Sequence, residues 1–232
     1  MEHDSKIKVS VIIRAYNSEA TLSRAIRSAL AQDLPRGSFE VIVVDDGSTD
    51  GTARLLERYA SNPLVILAKQ ENRGISEAAN SGIRIARGAY IIFLDADDEL
   101  LPSSVSALST VLDESSADYT YGEYFEEYGG VRTRVHPKDP FKAPIGAFAW
   151  RREKLLSEGG FAGDTIFPEY DILLRTWGLW KGVRISAPVF TYHRSKNSMT
   201  SDIPRVKDAI RLLNDKYPER SPQITLIRSY DI

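Results

Sequence analysis

A chain of 232 residues suits one large domain, or a domain with a subdomain. Its 42% hydrophobic and 27% charged residues are ordinary for a globular protein, and a net charge of −2 offers no bulk field for nucleic acid or an anionic membrane. With no cysteine it excludes disulfides, zinc–thiolate sites and a cysteine nucleophile, which fits a reducing cytoplasm.

The apolar stretch over 9–13 is too short for a signal segment or a membrane span, and no later stretch reaches transmembrane length. Peripheral contact with a membrane stays open. Residues 9–13 predict a first strand. Asn17 or Ser18 is the expected cap of a helix carrying Leu22, Ala25, Ile26, Ala29 and Leu30 at helical spacing, ended by Pro35 and Gly37. Residues 41–44 predict a second strand, followed by a polar turn over 45–51 and a short helix through Leu55, Leu56 and Tyr59. A third strand over 65–67 precedes a helix with Ile75, Ala78, Ala79, Gly82, Ile83 and Ala86 on one face, stopped by Gly88. Residues 90–94 form a fourth strand. Strictly alternating strands and helices imply a parallel, right-handed α/β sheet.

The second half changes character. A helix around Val105, Leu108 and Leu112 leads to an aromatic stretch over 119–128, which Gly129-Gly130 separates from 131–135 as a hairpin. Pro137, Pro140 and Pro144 mark an irregular loop, and 146–150 a further strand. Tyr170, Leu173, Leu174 and Trp177 place a helix over 169–180, and Val206, Ile210 and Leu213 a last amphipathic one. With no repeat or flexible linker, residues 1–232 are expected to form a single domain, with 1–100 and 101–232 as its two functional halves.

Acidic clusters end two of the apolar runs: Asp45-Asp46 after the second strand, and Asp95, Asp97 and Asp98 after the fourth. Open α/β sheets bind ligands at the carboxyl ends of their strands. Converging carboxylates repel unless a cation or a cation-bearing ligand joins them, which points to a divalent metal and a phosphorylated substrate. The first strand–helix junction, Arg14-Ala15-Tyr16-Asn17, has no glycine-rich fingerprint, and a Walker loop is also absent.

The series Val-Ser-Val-Ile-Ile-Arg-Ala-Tyr-Asn from Val9, Val-Ile-Val-Val-Asp-Asp-Gly-Ser-Thr-Asp-Gly-Thr from Val41, Asn-Arg-Gly-Ile-Ser-Glu-Ala-Ala-Asn from Asn72 and Phe-Leu-Asp-Ala-Asp-Asp from Phe93 resembles the family 2 glycosyltransferases of the GT-A fold, in order and in spacing. About the first hundred residues carry that resemblance. Gly159-Gly160-Phe161 and the helix from Glu169 resemble the acceptor half more loosely. The resemblance implies a Rossmann-like α/β fold with a mostly parallel sheet. It assigns Ala15, Tyr16, Asn17, Asp45 and Asp46 to the nucleoside, usually uridine, whose imide N–H a carboxylate can accept. It assigns Asp95 to the ribose and Asp97 to Mn²⁺ or Mg²⁺, hard cations suited to oxygen donors. Arg73 is a candidate for the diphosphate or a solvated loop residue. Asp50 is expected to be a turn residue, and Asn80 a structural one that bonds a neighbouring loop.

In the second half, Pro168-Glu169-Tyr170-Asp171 resembles the family string that carries the catalytic base. Glu169 stands where the base would be, and Asp171 is the reserve. Both acids also suit a helix N-terminus. The segment 192–200 resembles one whose histidine completes the metal shell. Without gaps Ser195 takes that place, so His193 binds metal only if the loop shifts; otherwise His193, Arg194 or Lys196 is a candidate for phosphate contact, or the segment is a surface turn before a C-terminal helix. His3 and His136 read as surface residues without supporting neighbours.

The resemblance therefore implies an inverting, metal-dependent transferase. It would move sugar from a nucleoside-diphosphate donor, chiefly a UDP-sugar, to a glycan, lipid-linked or small-molecule acceptor. Polysaccharide, glycolipid or cell-surface glycan synthesis is the expected setting, in the cytoplasm or at the inner membrane face. A non-catalytic nucleotide-sugar binder and a sugar-phosphate nucleotidyltransferase stay open as alternatives. A homo-oligomer through the tyrosine-rich hairpin is also open.

Overall fold

The computed structural model describes residues 7–163, 165–195, 198 and 201–227. Strands β1 (Val9–Ala15), β2 (Phe39–Asp45), β3 (Val65–Lys69) and β4 (Tyr90–Asp95) lie parallel, in the order β3-β2-β1-β4. Every residue of β1 and β2 is buried, because helices cover both faces of such a sheet. The covering helices are α1 (Leu22–Leu30), α2 (Thr52–Leu56) and α3 (Ile75–Ile85).

After the short β5 (Glu99–Leu100) and α4 (Ser104–Glu114) come β6 (Tyr119–Tyr128), β7 (Val131–Val135) and β8 (Phe148–Arg151). Next follow α5 (Arg152–Ser157), α6 (Pro168–Arg175), β9 (Gly182–His193) and α7 (Ile203–Lys216). Strand β8 runs antiparallel to both β4 and β6, with Ile91 opposite Trp150 and Trp150 opposite Tyr119. It joins the two halves in one sheet of nine strands, ordered β3-β2-β1-β4-β8-β6-β9-β5, with β7 paired to β6. Tyr119, Phe148 and Trp150 pack ring on ring across this join, with Phe148 and Trp150 stacked at 4.9 Å.

Several expectations change. Helix α1 starts at Leu22 with Thr21 at its cap, because Asn17 and Ser18 are engaged elsewhere, and it ends at Leu30, well before Pro35. Likewise α3 ends at Ile85, with Ala86 already extended, before Gly88. Helix α6 stops at Arg175: the Thr176 hydroxyl donates to the Ile172 carbonyl at 2.7 Å, and Gly178 turns the chain at φ +81°. The twelve-residue β9 has no counterpart in the sequence-based expectation. Its Pro188 pairs with Glu123 where the β6–β9 register shifts, an irregularity that accommodates a residue without an N–H. Gly122 sits at that shift, where a Cβ would meet Val189 at 2.8 Å. His136 is exposed as expected, but it has a neighbour, its Nδ1 lying 2.8 Å from Glu123.

Candidate active site

The carboxyl ends of β1, β2 and β4 form one edge, and the parallel register sets Ala15 beside Asp45 and Arg14 beside Asp95. The loops after β1 and β2 clasp each other. Asn17, at φ +48°, donates its N–H to Ser48 Oγ at 2.9 Å and accepts from Thr49 N–H at 2.8 Å. Asn17 therefore shapes the paired loops, and its side-chain oxygen is already engaged. Tyr16 beside it is 49% exposed. Asp50 accepts from Thr52 N–H at 3.0 Å at the start of α2, the turn role expected of it.

The adjacent acids of β2 differ. Asp46 accepts from Gln70 Nε2 at 2.6 Å, Arg73 N–H at 2.9 Å and Gly74 N–H at 2.8 Å, so it pins the loop between β3 and α3. Asp45 accepts from Ser48 N–H at 2.9 Å through Oδ1, while its Oδ2 is buried with no partner among the described residues. Between them and the loop, Gly47 is at φ +76°, and a Cβ there would meet Asn72 N at 2.6 Å. The Arg73 guanidinium is mostly exposed and lies 3.3 Å from Glu77. Asn80 exchanges two 2.9 Å hydrogen bonds with the Phe161 backbone, tying α3 to the loop before α6.

At the end of β4, Asp95 pairs with the Arg14 guanidinium, and Arg24 donates to the Asp97 carbonyl. Burial, and then the charge of Asp95, push the Asp97 carboxyl up to about 6. Burial, and then the charges of Asp97 and Asp95, raise Asp98 as well; its Oδ1 accepts from His193 N–H at 2.8 Å and pins the end of β9 to the acidic turn. The His193 ring lies between two carboxylates, Glu99 at 2.9 Å and Glu127 at 3.2 Å, so one must give way before the ring can bind metal. Arg194 lies 3.6 Å from Glu126, and Lys196 is outside the described residues.

Among the described residues no three Asp, Glu or His side chains are placed to hold a metal ion by themselves. The donor set at Asp97 is nonetheless carboxylate oxygen, and its resistance to ionisation is what a nearby cation would relieve. A divalent ion would find a partial shell here, to be completed by oxygens that the described residues do not supply.

Glu169 opens α6 behind Pro168 and is only 6% exposed. Burial pushes its carboxyl up to about 7, with the Arg14 charge acting downward and the Asp95 charge upward. The fold thus brings Glu169 into the field of the β1–β4 edge. Asp171 does different work: its Oδ1 accepts from Lys216 Nζ at 2.7 Å and Tyr217 OH at 3.0 Å, which fastens α6 to α7. A cavity of about 560 Å³ opens between the α3 N-terminus at Gly74 and Ser76, the loop at Thr165 and Ile166, and Arg205 and Leu212 of α7. It adjoins the loop pinned by Asp46 and, through Thr165 and Ile166, the segment that leads into α6. The partners Arg14, Arg24, Gln70 and Glu127 were not foreseen. Only Arg14 carried a signal, as a charge inside an apolar run.

Chondroitin synthase of Escherichia coli is 46% identical over 98 residues, which is 42% of this chain and 14% of that protein's length. Two solved structures share the fold at low identity. Mannosyltransferase PcManGT from Pyrobaculum calidifontis, in complex with GDP-Man and Mn²⁺, matches with TM-score 0.76 at 21% identity, covering 94% of this chain and 68% of that one. S. aureus TarS 1-349, in complex with UDP-GlcNAc, matches with TM-score 0.74 at 20% identity, covering 90% and 66%. The fold is GT-A. The family model described as glycosyl transferase family 2 matches residues 10–168, and the chain belongs to that family.

Proposed function

We propose that the chain transfers a sugar from a nucleoside-diphosphate donor, a UDP-sugar, to an acceptor hydroxyl with inversion. The observation that carries this reading is the buried Glu169, its carboxyl raised to about 7, in the field of Asp95 at the donor edge. A base is most effective when its pKa lies near the working pH. Glu169 takes the proton of the acceptor hydroxyl as that oxygen attacks C1. The bond from C1 to the diphosphate oxygen breaks on the opposite face, and the nucleoside diphosphate leaves with the electron pair.

On the donor side, the buried, unpartnered Oδ2 of Asp45 accepts the imide N–H of uracil. Tyr16 and Ala15 border the base, Asp95 meets the ribose and Arg73 reaches the diphosphate. UDP-GlcNAc in TarS supports the donor class. Asp97 is the residue that would hold Mn²⁺ or Mg²⁺, with His193 joining it once released from Glu99 or Glu127; Mn²⁺ in the mannosyltransferase supports the ion. Such an ion supplies positive charge to the leaving diphosphate.

Glu169→Gln should bind UDP and the donor as the wild type does and lose at least about 10²-fold in transfer. Full transfer by this variant would sink the assignment of the base. Loss of transfer together with loss of UDP binding would make Glu169 a structural residue.

A further inference from the structure

The cavity beside α3 has a lining of its own. Among the described residues, none of those assigned to the nucleoside, the ribose or the metal belongs to it. One wall is the first turn of α3, a helix of eleven residues that no side chain caps. Asp46 takes the N–H groups of Arg73 and Gly74, just before that turn. The N–H groups of Ile75, Ser76 and Glu77 have no acceptor among the described residues. A helix leaves these first donors unpaired, and its dipole makes the same end attractive to an anion. Glu77 does not fill that role, because its carboxylate is turned to Arg73 and Asn80, each at 3.3 Å. The space is open: a Cβ at Gly74 or Gly163, both in the lining, would meet nothing within 4 Å.

Two side chains add donors. Ser76 lines the cavity and is 3% exposed, and its hydroxyl is buried with no hydrogen-bond partner among the described residues. A buried hydroxyl without a partner is costly, and a ligand oxygen would relieve that cost. Arg205, in the first turn of α7, lines the same cavity, and its guanidinium makes no ion pair among the described residues. The remaining charges do not cancel it. Arg211 is paired with Asp208 at 3.0 Å. Asp215 is ten residues from Arg205 on α7, about 15 Å along the helix axis. Backbone N–H groups, a hydroxyl and a guanidinium without acceptors suit phosphate oxygens. We propose that this cavity is a phosphate subsite, and that the acceptor presented to Glu169 carries a phosphate group. Thr165 and Ile166, in the same lining, lead into α6, which carries Glu169. The subsite stands on the cavity itself; its assignment to the acceptor rests on the reading of Glu169 as the base.

¹H–¹⁵N NMR of the full chain, at constant ionic strength and with or without saturating UDP, can follow inorganic phosphate and glycerol 3-phosphate, with glycerol as the control. Both phosphates should shift the amide signals of Ile75, Ser76 and Glu77 saturably under either condition, and glycerol should not. Ser76→Ala loses no hydrogen bond and Arg205 is exposed, so both Ser76→Ala and Arg205→Gln should fold. Each should weaken phosphate binding about tenfold and leave UDP affinity unchanged. No saturable shift at these amides, or wild-type phosphate affinity in both variants, overturns the subsite. Displacement of phosphate by UDP makes the cavity part of the donor site and overturns the acceptor assignment. Binding of inorganic phosphate without the ester restricts the cavity to a free ion and overturns that assignment too. Transfer assays on Glu169→Gln separate the two readings. Full transfer with phosphate still bound removes the base and keeps the subsite. Lost transfer with no phosphate bound keeps the base and removes the subsite.

Discussion

Asp45 and Asp46 are neighbours in sequence with different surroundings, and substitutions should divide them. Asp46→Ala would leave Gln70 Nε2 and two backbone N–H groups of the 70–74 loop without their acceptor. Hydrogen bonds to a charged group are worth roughly 1.5–3 kcal/mol each, and not additively. We expect a loss on the order of 3 kcal/mol in urea denaturation. Asp45→Asn keeps an acceptor for Ser48 but places an amide N–H₂ where the free oxygen stood. Its stability should stay within about 1 kcal/mol, while UDP affinity measured by calorimetry falls about tenfold. A stable Asp46 variant that binds UDP poorly, beside an unaffected Asp45 variant, would reverse the assignment. Both acids were legible in the sequence, because acids rarely end a buried apolar run. Their division was not, because it depends on the 70–74 loop folding back onto Asp46. Arg14 was likewise visible as a charge, but its partner follows from the β1–β4 register.

At the level of elements, legibility followed burial. β1, β2 and β4 are covered on both faces and read as continuous apolar runs, so the sequence pattern locates them. β9 is concealed by Pro188 and by mixed exposure along its first half, and only the shifted register against β6 makes it a strand. α6 looked longer because Trp177 and Trp180 continue the apolar spacing past its end, although they serve the turn that follows. The join between α6 and α7 belongs to this scale. Lys216→Met would leave the buried Asp171 carboxylate with the Tyr217 hydroxyl as its close donor, since Arg175 stands 4.0 Å away. Removing one partner of a buried ion pair costs roughly 3–5 kcal/mol, and the partial exposure of Lys216 places this case at about 3 kcal/mol or less. UDP affinity should change little, because Asp45 and its loop lie on other elements. Transfer should fall as α6, which carries Glu169, loosens. Denaturation and calorimetry on the same variant check both halves of this expectation. Equal losses in UDP affinity and transfer would show that α7 supports the donor side instead.

Across the whole molecule, the acidic edge of the parallel strands and Glu169 come from distant parts of the chain, and β8 joins the halves that carry them. It pairs with β4 on one side and β6 on the other, so the sheet continues from the parallel half into the second half without a gap. Trp150 in β8 is fully buried, against Tyr119, Phe148 and Trp180. We infer that the two halves unfold together as one domain. The three tryptophans provide the test, because Trp150, Trp177 and Trp180 all lie in the second half. Tryptophan fluorescence therefore reports that half alone, while far-UV circular dichroism reports helices and strands of both. Cooperative unfolding requires the two signals to give the same urea midpoint. Trp150→Phe should keep that coincidence, since it retains an aromatic ring at the join. Trp150→Ala should lower the common midpoint by a loss of about 3–5 kcal/mol, the usual cost of deleting a buried large aromatic side chain. A fluorescence transition that comes clearly before the dichroism transition in the wild type would mean that the second half unfolds as its own unit. Glu169 could then leave the donor edge while the parallel sheet stayed folded, and UDP binding would survive at urea concentrations where transfer is already lost.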